Sequence, residues 1–190
     1  MANGKIATKQ TGSVALFGDD LQKGFENMTQ DDMALPFIRI LGQLSPQVTD
    51  GDSKFIDGAK PGMIYNTVTN DLFDGKKGIK VIPCYYKKDY PEWSDRGDGP
   101  GAPVATHSPG SPVIQTGKRD GSKIRLPNGN YLEETAYYYV MVENKQGGYS
   151  PALITMKSTQ LSVSKKWNSM MKSVQIDDGK GGFAVPPMHG

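Results

Sequence analysis

Pro61 to Trp93 reads PGMIYNTVTNDLFDGKKGIKVIPCYYKKDYPEW, two apolar runs separated by Asn70-Asp71 and Asp74-Gly75 and closed by a cluster of rings and lysines. Met63 to Val68 alternates in polarity as a half-buried strand does, and Ile79 to Lys87 is rich in β-branched and aromatic residues. The two runs predict strands joined as a hairpin or meander. Downstream, Asn128-Gly129 within KIRLPNGNYLE (Lys123 to Glu133) supplies the positive φ angles of a tight type I′ hairpin turn. Thr135 to Glu143 predicts a strand, Gln146-Gly147-Gly148 a turn, and Tyr149 to Met156 its antiparallel partner.

Two segments carry helical spacing instead. Asp31 or Asp32 is placed to cap a short helix toward Leu44, with Leu35, Ile38 and Leu41 as its stripe, Phe37 and Ile40 beside it, Pro36 in the first turn and Ser45-Pro46 as the stop. From Ser158, read as an N-cap, Val163, Trp167, Met170, Met171 and Val174 share one helical face, with Lys165, Lys166, Ser169 and Lys172 on another. With 23 Gly and 13 Pro interrupting any long helix, the expectation is a mainly β, β-rich α+β chain. Its simplest closed arrangement is an OB-fold-like barrel with one C-terminal amphipathic helix and a short N-terminal one. Residues 1–30 read as a flexible acidic and polar leader and 31–190 as a single domain, interrupted by a Gly/Pro loop at 94–112.

Composition narrows the function classes. Met1 to Asp20 lacks the apolar core of a secretory signal, and no run approaches the roughly 20 apolar residues of a membrane span, so a cytosolic setting without membrane contact is expected. Cys84 is the only cysteine, which rules out an intramolecular disulfide or a cysteine metal cluster and fits a packed residue in a reducing compartment. A net charge of +2 is far from that of a histone-like duplex binder. The charge is unevenly spread: eight acids face three bases from Asp19 to Asp57, and ten bases face five acids from Lys76 to Arg125. That polarity favours a polyanion-facing middle segment.

Catalytic chemistry is poorly represented. His107 and His189 stand apart from any serine or cysteine pattern that suggests a triad, and the carboxylates lie mostly in the leader and turns. GDGPGAP (97–103) and GKGG (179–182) lack the context of a phosphate-binding loop. The expectation is no enzyme, no cofactor and no metal. What remains is rings interleaved with bases: Tyr85, Tyr86, Lys87, Lys88, Tyr90 and Trp93 in one run, Tyr137, Tyr138 and Tyr139 in another. Strand alternation puts Tyr137 and Tyr139 beside Met141 on one side and Tyr138 with Val140 and Val142 on the other, one side core and one a platform on which bases stack. Lys118, Arg119, Lys123 and Arg125 flank the hairpin as candidate phosphate contacts, and Lys165 and Lys166 add a basic helix. The bland alternative is that tyrosines fill strands for packing and lysines are ordinary solvated surface.

The Pro61–Trp93 block, with Asp32 to Gln47 (DMALPFIRILGQLSPQ) and Met156 to Met170 (MKSTQLSVSKKWNSM), resembles a family of small proteins of tailed bacteriophages and prophages associated with phage replication. Ser158-Thr159-Gln160, Lys165-Lys166-Trp167 and Pro186-Pro187-Met188 look like that family's closing block. The resemblance implies single-stranded DNA as the ligand, a role in DNA replication or recombination, phage or host replication proteins as further partners, and the host bacterial cytoplasm as location. Relatives are expected to continue beyond the Pro-Pro, and the acidic tail of replication single-strand binders does not follow it here. Either the chain is a shortened form or tail-mediated recruitment is absent. The rival readings are a phage factor that binds and redirects or inhibits a host enzyme, and a minor virion component.

Overall fold

In the computed structural model, residues 28–29, 32–95, 102–145 and 147–188 are described. The chain divides into two units, Met1–Ala34 and Leu35–Gly190. The first holds the whole expected leader at 1–30; residues 1–27, 30 and 31 lie outside the described residues, as do 96–101 of the Gly/Pro loop and His189. Within it the Asp32 carboxylate accepts from the Thr29 amide at 2.8 Å and hydroxyl at 2.7 Å, so it closes a local turn.

The second unit is mainly β, as its sequence predicts. Its strands are β1 (Phe37–Ile40), β2 (Ile64–Asn66), β3 (Leu72–Phe73), β4 (Val81–Trp93), β5 (Ala105–His107), β6 (Lys118–Asp120), β7 (Lys123–Arg125), β8 (Tyr131–Glu133), β9 (Thr135–Glu143), β10 (Tyr149–Lys157), β11 (Ile176–Asp177) and β12 (Phe183–Ala184). Among the described residues two α-helices accompany them, α1 (Pro112–Thr116) and α2 (Gln160–Ser173). One sheet runs β3-β2-β1-β10-β9-β4-β8-β7-β6, with β5 added to β4, while β11 and β12 form a small separate pair. Among the described residues only β1 with β10 is parallel.

Several expectations are corrected. The sheet is open rather than an OB-like barrel: its ends are β3, two residues long, and β6, whose Lys118, Arg119 and Asp120 are all exposed. A short strand at one end and a charged one at the other are the features that keep sheet edges from pairing further. The N-terminal helix expected toward Leu44 is replaced by strand β1 and a 3-10 turn at Pro46–Val48. Phe-Ile-Arg-Ile suits a strand that finds partners on both sides, and that tertiary pairing overrides the helical spacing of Leu35, Ile38 and Leu41. The runs at 63–68 and 79–87 do not pair with one another: β2 folds back on β3 through the 67–71 turn, and β4 lies beside β9. Within the 94–112 stretch, Ala105–His107 forms a strand on β4. The hairpin at Asn128-Gly129 is present, but only Gly129 takes a positive φ, 89°, so a five-residue Leu126–Asn130 loop with Pro127 in it replaces the two-residue I′ turn.

The core sits between one sheet face and α2. Ala136, Tyr138, Val140 and Val142 of β9 point there with Ala152 and Ile38, and Leu161, Trp167 and Met171 of α2 close over them. Tyr138 has no exposed surface; its ring centroid lies 4.5 Å from that of Trp167 and 5.1 Å from that of Tyr86. Its hydroxyl is 2.7 Å from Ser164 Oγ and 2.8 Å from Asn168 Oδ1, so a buried phenol is fully satisfied by one helix face. This network fixes the rotation of α2. Leu161, Ser164, Trp167, Asn168 and Met171 turn inward, whereas Val163 and Met170, expected on the same apolar face, are exposed. The helix begins at Gln160 with Thr159 as N-cap, and Ser158 instead takes a left-handed φ of 51°. A second, smaller cluster of Ile124, Leu126 and Leu132, with Tyr90, Val113 and Ile114, lies under α1.

Candidate nucleic-acid interface

The 13-residue strand β4 decides which rings face outward. Val81 pairs with Val142 and Pro83 with Val140, then the register shifts so that Tyr85, not Cys84, stands opposite Tyr139. Proline has no amide hydrogen to give the ladder, and a bulge at that point absorbs one residue. Because strand faces alternate, the extra residue exchanges the sides of all that follows. Tyr86 goes inward against Tyr138, and Tyr85 and Lys87 emerge on the face opposite α2.

That face can be followed across six strands by cross-strand pairing. β10 contributes Leu153, Thr155 and Lys157, β9 contributes Tyr139, Tyr137 and Thr135, and β4 contributes Tyr85, Lys87 and Asp89 opposite them. Farther along β4, Trp93 pairs with Tyr131 of β8, which pairs with Arg125 of β7, itself opposite Lys118 of β6. Lys157 Nζ lies 5.8 Å from the Trp93 ring centroid, which ties the two ends together. Tyr85, 59% exposed, stands 5.8 Å from Tyr139 with their rings tilted by 50°. Lys87 Nζ lies 5.2 Å from the centre of Tyr137, Lys123 Nζ 3.8 Å from that of Tyr131, and Arg125 Cζ 5.5 Å from Tyr131. Burial, with the Asp89 charge behind it, pushes the Tyr137 phenol pKa up, so that ring stays neutral.

The cations are closely matched by acids. Lys87 Nζ meets Asp89 at 2.9 Å, Lys157 Nζ meets Glu133 at 2.7 Å, and Arg125 reaches Asp95 at 3.2 Å and Asp120 at 3.3 Å. The hydrogen bond to Asp89 raises the Lys87 pKa, which keeps it charged.

Of the residues expected to meet nucleic acid, Tyr85, Lys87, Trp93, Lys118, Lys123, Arg125, Tyr137 and Tyr139 are brought to this one face. The others are not: Tyr86 packs in the core, Lys88 pairs with Glu134 at 3.3 Å on the opposite side, Tyr90 packs on the second cluster, and Arg119 stands opposite Ile124. Lys165 and Lys166 are exposed on α2, across the sheet from the ring-bearing face. Tyr131 and Lys157 were not singled out from the sequence. Tyr131 directly follows the Asn-Gly turn opposite Arg125, a legible signal, whereas Lys157 is placed only by the β9–β10 register.

On the reverse side of Trp93, Glu92 is a buried carboxylate with both oxygens engaged. Oε1 accepts from Asn130 at 2.6 Å and Asn128 at 3.0 Å, and Oε2 lies 2.8 Å from His107 Nε2. The Asn130 and His107 hydrogen bonds hold its pKa below the ordinary carboxylate value. Among the described residues neither Glu92 nor His107 bonds a Ser, Thr or Cys side chain, so the pair clamps the hairpin and β5 to β4. Among the described residues no group of three or more His, Cys, Asp or Glu is disposed to hold a metal ion, and no helix is long and apolar enough to cross a membrane.

Neither a curated protein nor a solved structure matches the chain. A family model described as "Pam3 phage gp34-like protein" matches residues 8–190, nearly the whole sequence, and the chain therefore belongs to that family of phage proteins.

Proposed function

We propose that the chain binds single-stranded nucleic acid, DNA in phage replication or recombination, on the sheet face opposite α2. One observation carries this reading: Tyr85 is more than half exposed beside Tyr139 and Tyr137, in a patch continued by Trp93, Tyr131 and five basic side chains. An unpaired base laid over an exposed tyrosine gains about 1–3 kcal/mol without regard to sequence, and duplex DNA, with its base faces already stacked, gains none of it. Lys118, Lys123, Arg125, Lys87 and Lys157 share that face, which supports a role for them with the phosphates between stacked bases.

The test is fluorescence anisotropy of end-labelled single-stranded DNA, the same sequence as duplex, and its RNA counterpart. The single strand is expected to bind well ahead of the duplex; equal affinity for the two, or none for either at low salt, overturns the reading. One feature favours a second reading, a phage factor that binds and redirects or inhibits a host enzyme: Val163 and Met170 are exposed on α2. Under that reading Val163→Glu and Met170→Glu abolish capture of the host enzyme, while Tyr85→Ala does not.

A further inference from the structure

The lysines and the carboxylates of the ring-bearing face are not equally placed. In the Lys87–Asp89 pair the lysine side chain is 39% exposed and the aspartate 14%; in the Lys157–Glu133 pair the figures are 51% and 10%. Each acid is thus fixed low in the sheet and each ammonium lies above it, over a ring. Each pair joins a partly exposed ammonium to a largely buried carboxylate, so the lysine satisfies an acid that the fold has taken out of water. The pairs also set what the face presents to an anion. A phosphate that recruits Lys87 or Lys157 must compete with a carboxylate already in contact, and it leaves that largely buried carboxylate unpaired. Lys118 and Lys123 have no acidic partner among the described residues.

We infer that Asp89 and Glu133 act as built-in phosphate competitors that mask Lys87 and Lys157, so that binding on this face depends on stacked bases more than on charge. The inference rests on the single-strand reading above and specifies how that site is tuned. It has a quantitative consequence for salt dependence, because each phosphate neutralised on a single strand contributes about −0.7 to the slope of log affinity against log salt. With only Lys118 and Lys123 unmasked, the natural chain should show a slope near −1.4, on the order of two phosphates. Freeing Lys87 and Lys157 should steepen it toward roughly −2.8. A duplex, which offers phosphates but no free base faces, loses through the masking most of what it could have used, a form of discrimination by withheld contacts.

The experiment titrates a labelled oligothymidylate and a labelled duplex with the natural chain, Asp89→Asn, Glu133→Gln and the double variant over a salt series. Denaturation midpoints are recorded for each protein. Each single variant should bind both ligands about threefold more tightly at low salt, as one additional exposed ion pair allows, with a steeper slope. The gain from Asp89→Asn should vanish when Lys87→Gln is added. The two single variants act at separate pairs, so either one decides if the other folds poorly. Folded variants that bind no tighter, with an unchanged slope, overturn the masking while the natural chain's binding leaves the single-strand reading intact. If the natural chain and all variants fail to bind at low salt, the single-strand reading falls and the masking with it.

Discussion

Replacing Tyr85 and Tyr138 with alanine, one at a time, separates the two faces of the sheet. Tyr138 has no exposed surface, contacts Tyr86 and Trp167, and satisfies Ser164 and Asn168. Its removal opens a large cavity and strands two polar groups, a loss of about 4 kcal/mol or more. In a unit of this size that lowers the melting temperature by roughly 8–16 °C. Tyr85 is 59% exposed and its main neighbour is Tyr139, so little buried area disappears with it. The expected cost is about 1 kcal/mol, or roughly 2–4 °C, from the lost ring pair. Affinity should move the other way: Tyr85→Ala loses about 1–3 kcal/mol of single-strand binding, five- to more than a hundredfold. Thermal unfolding and anisotropy titration of both variants supply the comparison. A Tyr85→Ala protein that melts as low as Tyr138→Ala, or binds the oligonucleotide as well as the natural chain, refutes the assignment of faces and roles.

Three further outcomes follow from the geometry. Deleting Cys84 removes the extra residue of the bulge while leaving Tyr85 opposite Tyr139 and every later residue of β4 on its present face, so cooperative unfolding should persist; loss of the cooperative transition means that the bulge itself is needed to hold β4. A Cβ on Gly75 would overlap the carbonyl oxygen of Gly62, so Gly75→Ala should cost about 1–3 kcal/mol by denaturant titration, and a neutral result shows that the turn relaxes freely. Glu92 has a folded-state pKa lowered first by Asn130 and then by His107, so its contribution is complete above the unfolded value and is lost as pH falls through the folded one. The stability gap between the natural chain and Glu92→Gln should therefore narrow below about pH 4, and a pH-independent gap contradicts the clamp.

The strands at 135–143 and 149–157 were legible because β-branched and aromatic runs flank clear turn signals, and strand period alone sets Tyr138, with Val140 and Val142, on the side opposite Tyr137 and Tyr139. Closure was not legible. Nothing in Phe37–Ile40 announces a parallel partner at Leu153 and Ile154, and a helical spacing of Leu35, Ile38 and Leu41 competes with it. The face of Tyr85 and Tyr86 turns on one extra residue after Pro83; a proline inside a strand is the trace of it in the sequence, and it fixes no direction. The rotation of α2 was likewise hidden, because Ser164 and Asn168 are polar on a hydropathy scale and become the inward side only through the Tyr138 hydroxyl. The acids that neutralise the basic segment were visible, but their partners depend on register: Asp89 meets Lys87 along one strand, and Glu133 meets Lys157 across two.

The central claim is that single-stranded DNA lies on the ring-bearing face of the sheet, and photocrosslinking tests it most directly. Single strands carrying 5-iododeoxyuridine are irradiated with the natural chain, and the adducts are mapped by mass spectrometry. The account predicts adducts at Tyr85 and Tyr139, extending toward Tyr131 or Trp93 as the modified base is moved along the strand. Adducts confined to α2 around Lys165 and Trp167, or none at binding saturation, would contradict it.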